Sequence, residues 1–322
     1  MPQTAPSLEI IEHAPIPTWF RVGGAADRYA TPRSMDALRH ALDMDPALRV
    51  LGDGANLLVD DDGVAELVVS LRSPAFQETR IDARTGSVIA GAGADFQKLI
   101  HETVRAGLGG LEGLVGIPAS VGGACIMNAG GAFGQFADAV VRVHSLDRGG
   151  RAVVRERAQI PFGYRHSGLT DLIITGVELR LTPGDPEALR TRLKECMAYK
   201  KNSQPLAADS AGCCFKNPTL LAALALPGRD AIPAGSRASA GLLIDKAGCK
   251  GLRLGGAEVS QVHGNFLFAH PGARARDVID LMDEVARRVR EAFGVTLERE
   301  VVVWERRLST EAQRRREEKT ER

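Results

Sequence analysis

One stretch constrains this chain more than any other: residues 107–134, GLGGLEGLVGIPASVGGACIMNAGGAFG. Ten of these residues are glycine, and no charged residue stands between Glu112 and Asp138. Glycine loses more conformational freedom on folding than any other residue, so this composition suits a main chain that must approach something closely. We interpret the stretch as the wall of a site for a large, nucleotide-like ligand. A long flexible loop is the alternative, but interspersed apolar residues argue against it: Leu111, Leu114, Val115, Ile117, Val121, Ile126 and Met127.

The uncharged run at 113–137 is long enough to cross a membrane. Pro118, Asn128 and the glycines argue against a helical span, because a bilayer leaves no partner for freed backbone groups. The N-terminal segment MPQTAPSLEIIEHAPIP has no basic region followed by an apolar core, so we expect no signal peptide. Together these features predict a cytoplasmic protein.

Composition narrows the choice of partners. The 322 residues allow two or three domains, and the hydrophobic (44%) and charged (25%) fractions are those of ordinary globular proteins. A formal net charge of +1 gives no support to a nucleic-acid partner, whereas an anionic small molecule needs only a local cluster. Five cysteines without a C-x-x-C pair, and seven histidines without metal-ligand spacing, indicate neither a disulfide framework nor a metal site. We expect Cys125, Cys196 and Cys249 to be buried.

Hydrophobic periodicity and capping residues predict an α+β fold. One helix is predicted to begin after Ser34, and others to span 96–106, after the Asp95 cap, and 186–199. A further amphipathic helix is predicted to end at Gly294. Predicted strands are 49–51, 66–71, 87–91, 139–146, 151–157, 172–181 and 297–304, with 147–150 as a hairpin turn. The remainder, 306–322, is an almost wholly polar tail.

Two G-x-G turns follow predicted strands, at Gly52-Asp53-Gly54 and Gly91-Ala92-Gly93. Neither completes the dinucleotide-binding G-x-G-x-x-G motif, because Leu57 and Phe96 stand where the third glycine is required. Each turn can still present backbone N–H groups to a phosphate, or can simply be a tight turn. The sequence leaves both alternatives open.

Motifs along the chain resemble those of the flavin-dependent UDP-N-acetylenolpyruvoylglucosamine reductases of bacterial peptidoglycan synthesis. In the family's order they are LGDGANLL (51–58), GIPASVGG (116–123) with NAG (128–130), FGYRHS (162–167), GCCFKNP (212–218), KAG (246–248) and LEREV (297–301). The short path from Arg165 to Cys213 is similar to the subgroup that lacks an extra substrate-covering insertion.

The resemblance implies a PCMH-type, two-part FAD-binding fold with a third α+β substrate-binding domain. We place the two FAD-binding subdomains at 1–71 and 72–204, the substrate-binding domain at 205–305 and the charged tail at 306–322. It also implies that NADPH reduces FAD, which then reduces the enolpyruvyl group of a UDP-sugar to give UDP-N-acetylmuramate. We expect a monomer with no nucleic-acid partner and no membrane insertion.

By the family's pattern Arg165 and Glu300 lie at the substrate carboxylate, where negative charge develops, and Cys213 delivers a proton. The family usually has serine there. A thiol, with a reference pKa of about 8.5, is a far stronger acid than an alcohol and is mostly protonated at neutral pH. Cys213 can therefore donate a proton, or it can be a small core residue in a chain that has lost activity. We expect Cys214 to point elsewhere and pack.

The resemblance also assigns binding residues. Those expected to hold the flavin are Gly52, Gly54, Ala55, Asn56, Leu57, Gly116, Ile117, Pro118, Ser120, Gly122, Gly123, Asn128 and Gly130. Those expected at the UDP-sugar are Tyr164, Lys216, Asn217, Lys246, Gln261 and Asn265, although Lys246 could instead form an ion pair near Asp245. Two other functions stay open: a sugar or hydroxy-acid oxidase of the same flavin fold, and a non-catalytic flavin- or nucleotide-sugar-binding protein.

Overall fold

The protein's structure is a computed structural model that describes residues 8–205, 210–226, 228 and 230–306. Its first part contains β1 (Ile10–Pro15), β2 (Ala25–Ala30), α1 (Met35–Met44), β3 (Arg49–Leu51), β4 (Leu57–Val59) and β5 (Val68–Ser70). Four of the strands form a sheet in the order β1–β2–β5–β3. The Ser34 side chain accepts the N–H of Ala37 at 3.1 Å, so α1 begins after Ser34, as predicted.

The second part is built around a five-stranded antiparallel sheet in the order β12–β11–β13–β7–β6. Its elements are β6 (Thr79–Asp82), β7 (Ser87–Gly91), α2 (Phe96–Arg105), β8 (Leu108–Gly109), α3 (Val121–Ile126), β9 (Gly130–Gly131), β10 (Gly134–Gln135), β11 (Val140–Leu146), β12 (Ala152–Glu156), β13 (Ile173–Arg180), β14 (Thr182–Pro183) and α4 (Pro186–Ser203). Antiparallel pairing of β11 and β12 confirms the predicted hairpin. Asp95 caps α2 by accepting the N–H of Lys98.

The last part contains α5 (Ala240–Lys246), β15 (Arg253–Leu254), β16 (Ala257–Val259), β17 (Leu267–Ala269), the long helix α6 (Ala275–Phe293) and β18 (Val302–Trp304). Short 3-10 helices elsewhere occupy Pro74–Phe76, Glu112–Leu114, Phe136–Asp138 and Arg157–Gln159. The α+β class predicted from the sequence is confirmed. None of the helices in the described ranges is both long and apolar enough to span a bilayer.

The predicted strand at 297–304 was wrong over its first half, since β18 begins only at Val302. The N–H groups of Glu300 and Val301 both point to the carbonyl of Cys214, at 2.8 and 3.4 Å. Two successive N–H groups that converge on one acceptor do not fit a regular ladder, in which alternate groups face opposite ways. This irregular stretch is what places Glu300 beside the Cys213–Cys214 loop.

The buried apolar side chains form two large clusters. One contains residues between Ala30 and Cys196, on both sides of position 71, so the first two parts of the chain share a core. The other joins Phe20 and Leu58 to residues of the last part between Ala211 and Val301. The domain boundaries at 71/72 and 204/205 stay predictions.

The chain's last described residues return to its beginning. β18 pairs in parallel with β4, and Arg306 forms an ion pair with Asp27 at 2.6 Å. Arg306, the first residue of the predicted solvated tail, is therefore held by the first part of the fold. Residues 307–322 of that predicted tail lie outside the described residues.

The turn Gly91-Ala92-Gly93 brings two backbone segments together and does not present free N–H groups. The N–H groups of Gly91, Ala92 and Gly93 donate to the carbonyls of Glu78, Thr175 and Phe76 at 2.8, 3.1 and 2.8 Å. A Cβ on Gly93 would lie 1.7 Å from the carbonyl oxygen of Leu71. Of the two alternatives for this turn, the tight turn is the one observed.

We expect Gly93→Ala to destabilise the fold, because the added methyl must push the backbone at Leu71 away. Overpacking of this kind costs about 1–3 kcal/mol and sometimes more. Urea unfolding of the purified protein measures the change. Gly131→Ala is the matched control, since a Cβ there meets nothing within 4 Å and should leave the unfolding midpoint unchanged. Equal midpoints for the two variants would contradict the prediction.

Candidate functional site

The centre of the site is an ion pair between Arg165 and Glu300. The Nε of Arg165 donates to Oε1 of Glu300, and the two side chains are only 19% and 12% exposed. They come from distant parts of the chain, 135 residues apart. Arg165 has a φ of +53° in a tight turn that Gly163 and His166 close by reciprocal backbone hydrogen bonds at 2.9 and 3.3 Å. A non-glycine residue in this region is strained, and such strain concentrates at functional sites.

Asn56 holds Glu300 in place from the other side. Its side-chain Nδ2 donates to the Glu300 carbonyl at 3.0 Å, and its own carbonyl accepts the N–H of Val302 at 3.0 Å. The turn that was predicted to contact a flavin is thus bonded directly to the backbone of the residue predicted to supply the catalytic carboxylate. Asn56 was predicted as a cofactor ligand, but its amide nitrogen is engaged by the protein.

Cys213 lies beside this pair in a loop fixed by Asn265. The Asn265 amide accepts the N–H of Phe215 at 2.9 Å and donates to the Phe215 carbonyl at 2.8 Å, and its backbone carbonyl accepts the N–H of Cys214 at 2.9 Å. Cys214 is wholly buried in the core, as predicted, whereas Cys213 keeps partial exposure. The two adjacent thiols therefore have different surroundings.

Burial shifts the two ionisable groups next to Arg165 toward their neutral forms. It raises the pKa of the Cys213 thiol to about 12; the nearby Glu300 charge acts in the same direction, and Arg165 opposes it. Burial also raises the pKa of Glu300, against the opposing effect of the Arg165 guanidinium. The Cys213 thiol consequently keeps its proton throughout the neutral range.

Tyr164 connects this cluster to the last part of the chain. Its hydroxyl accepts the N–H of Asn217 at 3.2 Å, and the guanidinium carbons of Arg165 and Arg237 lie 5.1 and 3.9 Å from the ring centre. Arg237 was missed by the sequence analysis. It belongs to none of the recognised motifs, and no local pattern in the sequence indicates that it reaches Tyr164.

The turn at residues 52–56 has the character of an anion-binding nest. Within the described residues, the N–H groups of 53–56 donate no hydrogen bond, and most of the turn is partly exposed. A Cβ on Gly52 would lie 2.9 Å from Oγ of Ser120 and 4.0 Å from the Gly123 Cα, so this turn directly faces the start of α3. A side chain on residue 52 would fill the gap between this turn and the start of α3.

The glycine-rich stretch forms the opposite wall. Ser120 caps α3 by accepting the N–H of Gly123 at 3.1 Å, and residues 116–120 form a partly exposed strip. The Gly122 N–H donates to the Ala92 carbonyl at 2.8 Å, which places this glycine against β7 and not toward a ligand. Gly130 lies in the tight β9–β10 pairing.

Asn128 does not point freely into the site. Its amide donates to the Gly163 carbonyl at 2.8 Å and to Gln135 at 3.0 Å, and it accepts the N–H of Ala137 at 3.0 Å. All of these contacts are with protein, and one of them fixes the turn that carries Tyr164 and Arg165. Both ends of the Asn128 amide are thus engaged by protein groups, and its assignment as a flavin ligand stays a prediction.

Two side chains that the sequence analysis did not select brace the wall from behind. Gln97 accepts the N–H of Gly116 and donates to the carbonyl of Ile117, both at 2.6 Å. The buried Lys200 donates to the carbonyl of Val115 at 2.5 Å, and burial lowers its pKa to about 8. Three successive residues of the wall are thus held by α2 and α4.

The remaining residues predicted to bind the substrate contact groups other than Arg165, Glu300 and Cys213. Lys216 pairs with Glu298 at 2.5 Å, and the Asn217 side chain accepts the N–H of Ala240 at 2.9 Å. Lys246 is exposed at the end of α5, and the ion pair of Asp245 is with Lys250, at 3.0 Å. Gln261 is exposed and lies over Gly251. Within the described ranges, no group of three or more His, Cys, Asp or Glu side chains could hold a metal ion.

Comparisons with known proteins match almost the whole chain. A family model described as UDP-N-acetylenolpyruvoylglucosamine reductase, C-terminal domain, matches residues 204–304, and one described as FAD binding domain matches residues 26–155. The UDP-N-acetylenolpyruvoylglucosamine reductase of Moorella thermoacetica is 39% identical over 310 residues, covering 94% of this chain and 95% of the relative. That of Syntrophobacter fumaroxidans is 40% identical over 305 residues, covering 91% and 83%.

A solved structure gives the same result for the fold. The crystal structure of the UDP-N-acetylenolpyruvylglucosamine reductase from Thermus caldophilus matches with a TM-score of 0.75 and 41% identity, over 92% of this chain and 99% of that chain. Together with the FAD binding domain match, it confirms the predicted PCMH-type fold. The protein thus belongs to the family of FAD-dependent UDP-N-acetylenolpyruvoylglucosamine reductases.

Proposed function

We propose that this protein reduces the enolpyruvyl group of UDP-N-acetylglucosamine enolpyruvate to give UDP-N-acetylmuramate, with NADPH as the source of the hydride. This step belongs to peptidoglycan precursor synthesis. The observation that supports it most is the cluster of Arg165, Glu300 and Cys213, which places a cation, a carboxyl group with a raised pKa and a protonated thiol together.

The residues around the Gly52–Ser120 gap fit FAD. The N–H groups of 53–56 suit a pyrophosphate, and the strip 116–120 offers a flat backbone surface without charged side chains. Bound there, FAD would supply the hydride that NADPH delivers. The flavin ligands we propose are Gly52, Gly54, Ala55, Asn56, Leu57, Gly116, Ile117, Pro118, Ser120 and Gly123. Gly122 and Gly130 stay proposed on the family's pattern alone, since their backbones lie against Ala92 and Gln135, and Asn128 is engaged by protein groups behind the site.

Arg165 and Glu300 would act where charge develops. When a hydride adds to the terminal carbon of the enolpyruvyl double bond, negative charge accumulates on the neighbouring carbon and its carboxylate. The guanidinium of Arg165 stabilises that charge. Glu300 helps either as a protonated hydrogen-bond donor, which its raised pKa favours, or as a carboxylate whose charge Arg165 balances in the observed ion pair. Because both side chains are largely buried and mutually bonded, they need no reorganisation as the charge develops.

Cys213 would then deliver the proton that completes the reduction. The proton moves from Sγ to the carbanion carbon, and the resulting thiolate lies close to the Arg165 cation that lowers its pKa. Solvent must later return a proton to Sγ before the next turnover. Asn265 holds the loop that presents Sγ, so we propose a positioning role for it.

The UDP-sugar would extend from this cluster over Tyr164, Lys216 and Asn217. Lys216 carries a positive charge that suits a diphosphate, with Glu298 as its partner in this structure. We keep Lys246 and Gln261 as substrate contacts on the family's pattern alone, since both are exposed side chains.

We also propose that the protein acts as a cytoplasmic monomer on small molecules and has no nucleic-acid partner. NADPH and nucleotide-sugars are cytoplasmic metabolites, and all five cysteines are free thiols, which suits a reducing compartment. The near-zero net charge offers no basic surplus for nucleic acid.

Anaerobic stopped-flow mixing tests the proposed reaction. Flavin reduced by one equivalent of NADPH should be reoxidised by enolpyruvyl-UDP-sugar. Cys213→Ser should keep measurable reoxidation, whereas Cys213→Ala should lose about 100-fold or more, the usual contribution of a positioned proton donor. Reduction by NADPH is the internal control and should be equal in all three proteins.

Two results would contradict this scheme. If the reduced flavin of Cys213→Ala were reoxidised at the wild-type rate, the thiol would have no part in the mechanism. The wild-type protein could instead consume oxygen with simple alcohols, while the enolpyruvyl substrate fails to reoxidise its reduced flavin. That result would indicate an oxidase.

The pH dependence of reoxidation follows from the raised pKa of Cys213. An ordinary thiol loses its proton above about pH 8.5 and would then stop donating. With the pKa of Cys213 at about 12, the donor stays protonated, so we expect the ratio of the wild-type to the Cys213→Ser reoxidation rate to stay constant between pH 7 and about 10. The ratio is used because Lys200, with a pKa of about 8, titrates in this range in both proteins. Single-turnover rates across this range test it, with Cys213→Ser as the control that cannot titrate there. A fall centred near pH 8.5 in the wild type alone would refute it.

The brace behind the wall yields a prediction for flavin binding. Gln97→Leu removes the hydrogen-bond partners of the Gly116 N–H and the Ile117 carbonyl, which are partly buried, at a cost of about 1 kcal/mol for each bond. We expect the wall to rearrange and FAD to bind at least tenfold more weakly, measured by titration of the apoprotein. Lys98→Leu, next in the chain and exposed, is the control. Unchanged FAD affinity in Gln97→Leu would show that the hydrogen bonds from Gln97 to Gly116 and Ile117 do not shape the flavin site.

A further inference from the structure

The turn between β16 and β17 carries both His263 and Asn265. The hydroxyl of the buried Ser260 accepts the His263 N–H at 3.3 Å, and the His263 carbonyl accepts the N–H of Phe266 at 3.0 Å. Phe266 forms an isolated antiparallel bridge with Cys213. Backbone hydrogen bonds within the turn therefore connect His263 to the segment that lies beside the proposed proton donor.

The imidazole of His263 adds one more hydrogen bond to this turn. Its Nδ1 accepts the N–H of Asn265 at 3.2 Å. The Asn265 amide in turn binds both backbone groups of Phe215, and the Asn265 carbonyl accepts the N–H of Cys214. The histidine ring is thus bonded directly to the residue that fixes the Cys213 loop. A bond accepted at Nδ1 requires the neutral ring with its proton on Nε2.

The protein leaves a space of defined shape for this ring. A Cβ on Gly241, in the first turn of α5, would lie 2.8 Å from Cε1 of His263, so a side chain there would displace the imidazole. On another side the ring meets the Phe266 ring edge-on, with the two centres 5.0 Å apart. Contacts with Gly241 and Phe266 therefore keep Nδ1 directed at the Asn265 N–H.

The surroundings favour the neutral form of His263. Burial lowers the pKa of its ring, and the nearby Lys250 cation acts in the same direction. Lys250 pairs with Asp245 of α5 at 3.0 Å, and Lys246 is exposed at the end of that helix. The acceptor at Nδ1 is consequently available to the Asn265 N–H at neutral pH.

We propose that His263 is a positioning residue for proton transfer from Cys213, acting through the hydrogen bond that its Nδ1 accepts from Asn265. This inference rests on the proposed function, in which Cys213 delivers the proton that completes the reduction. A misplacement of about 1 Å can slow a reaction about 100-fold. Because Cys213 acts only after the hydride has left the flavin, loss of the Nδ1 acceptor should slow flavin reoxidation and leave flavin reduction by NADPH unchanged.

Two substitutions separate the acceptor from the ring. His263→Phe keeps an aromatic ring against Gly241 and Phe266 but removes the acceptor. His263→Asn removes the ring but keeps an acceptor oxygen on Cγ, the atom to which Nδ1 is attached in histidine. His101→Phe, at an exposed position on α2, is the control for replacing a histidine with phenylalanine.

Anaerobic stopped-flow mixing of the FAD-loaded proteins with enolpyruvyl-UDP-sugar measures the effect. Reoxidation should be about tenfold or more slower in His263→Phe, with a larger solvent deuterium isotope effect, because proton transfer becomes the slow step. His263→Asn should recover most of the wild-type rate, and His101→Phe all of it. Flavin reduction by NADPH should be equal in all of these proteins.

A double-mutant cycle shows whether the effect passes through Cys213. In the Cys213→Ala background, adding His263→Phe should cause no further slowing, because the donor that His263 positions is already absent. Equal slowing in both backgrounds overturns the inference, since the effect of His263 would then be independent of the thiol. Thermal unfolding checks that each variant is folded, and His263→Leu replaces His263→Phe if the latter is not.

The remaining results separate the inference from the proposed function. A wild-type reoxidation rate in His263→Phe overturns the inference and leaves the reaction intact. A rate in His263→Asn as low as that in His263→Phe also overturns it, because that pattern assigns the effect to packing of the ring. A wild-type flavin that the enolpyruvyl substrate does not reoxidise overturns both.

Discussion

The ion pair between Arg165 and Glu300 is the interaction on which the site depends. Removing two charges from water costs several kcal/mol per ion, and such a pair is maintained only where surrounding groups fix its geometry. Asn128 fixes the turn that carries Arg165, and Asn56 fixes the backbone of Glu300. Asn56 belongs to the turn at residues 52–56, and Asn128 belongs to the glycine-rich stretch at residues 107–134. The ion pair is thus hydrogen-bonded, through its backbone and the Arg165 turn, to both segments that face each other across the Gly52–Ser120 gap.

Close backbone approach is the second constraint. Gly52 faces Ser120 across a gap that a side chain would fill, while Gly93 and Gly122 lie against other backbone segments. The same residue type thus does two different tasks, one toward a ligand and the other toward the protein's own main chain. The glycine-rich stretch that dominates the sequence is rigid in this structure, with α3 capped at Ser120 and Gly116 and Ile117 held by Gln97.

Local patterns in the sequence were enough for the elements and for the motif-borne cluster. Ser34, Asp95 and the 147–150 turn define their helices and hairpin because capping and turn chemistry act within a few residues. The residues that brace the site could not be identified in this way. Gln97, Lys200 and Arg237 reach partners 19 or more residues away, and nothing in their neighbourhood marks those partners. For the same reason Asn128 and Asn265 were taken as ligand contacts, although their amides bind the main chain.

The parallel pairing of β18 with β4 has a consequence for how the protein matures during synthesis. Asn56 and Glu300 are separated by 244 residues, and Glu300 lies just before the strand that docks on β4. The ribosome releases the N-terminal nest and the glycine-rich wall long before it releases Glu300. A nascent chain therefore gains the Glu300 carboxylate, and with it the complete Arg165 pair and the backbone partners of Asn56, only when almost the whole chain has emerged. The order of synthesis thus delivers the turn at residues 52–56 and the glycine-rich stretch before the carboxylate that completes the Arg165 pair.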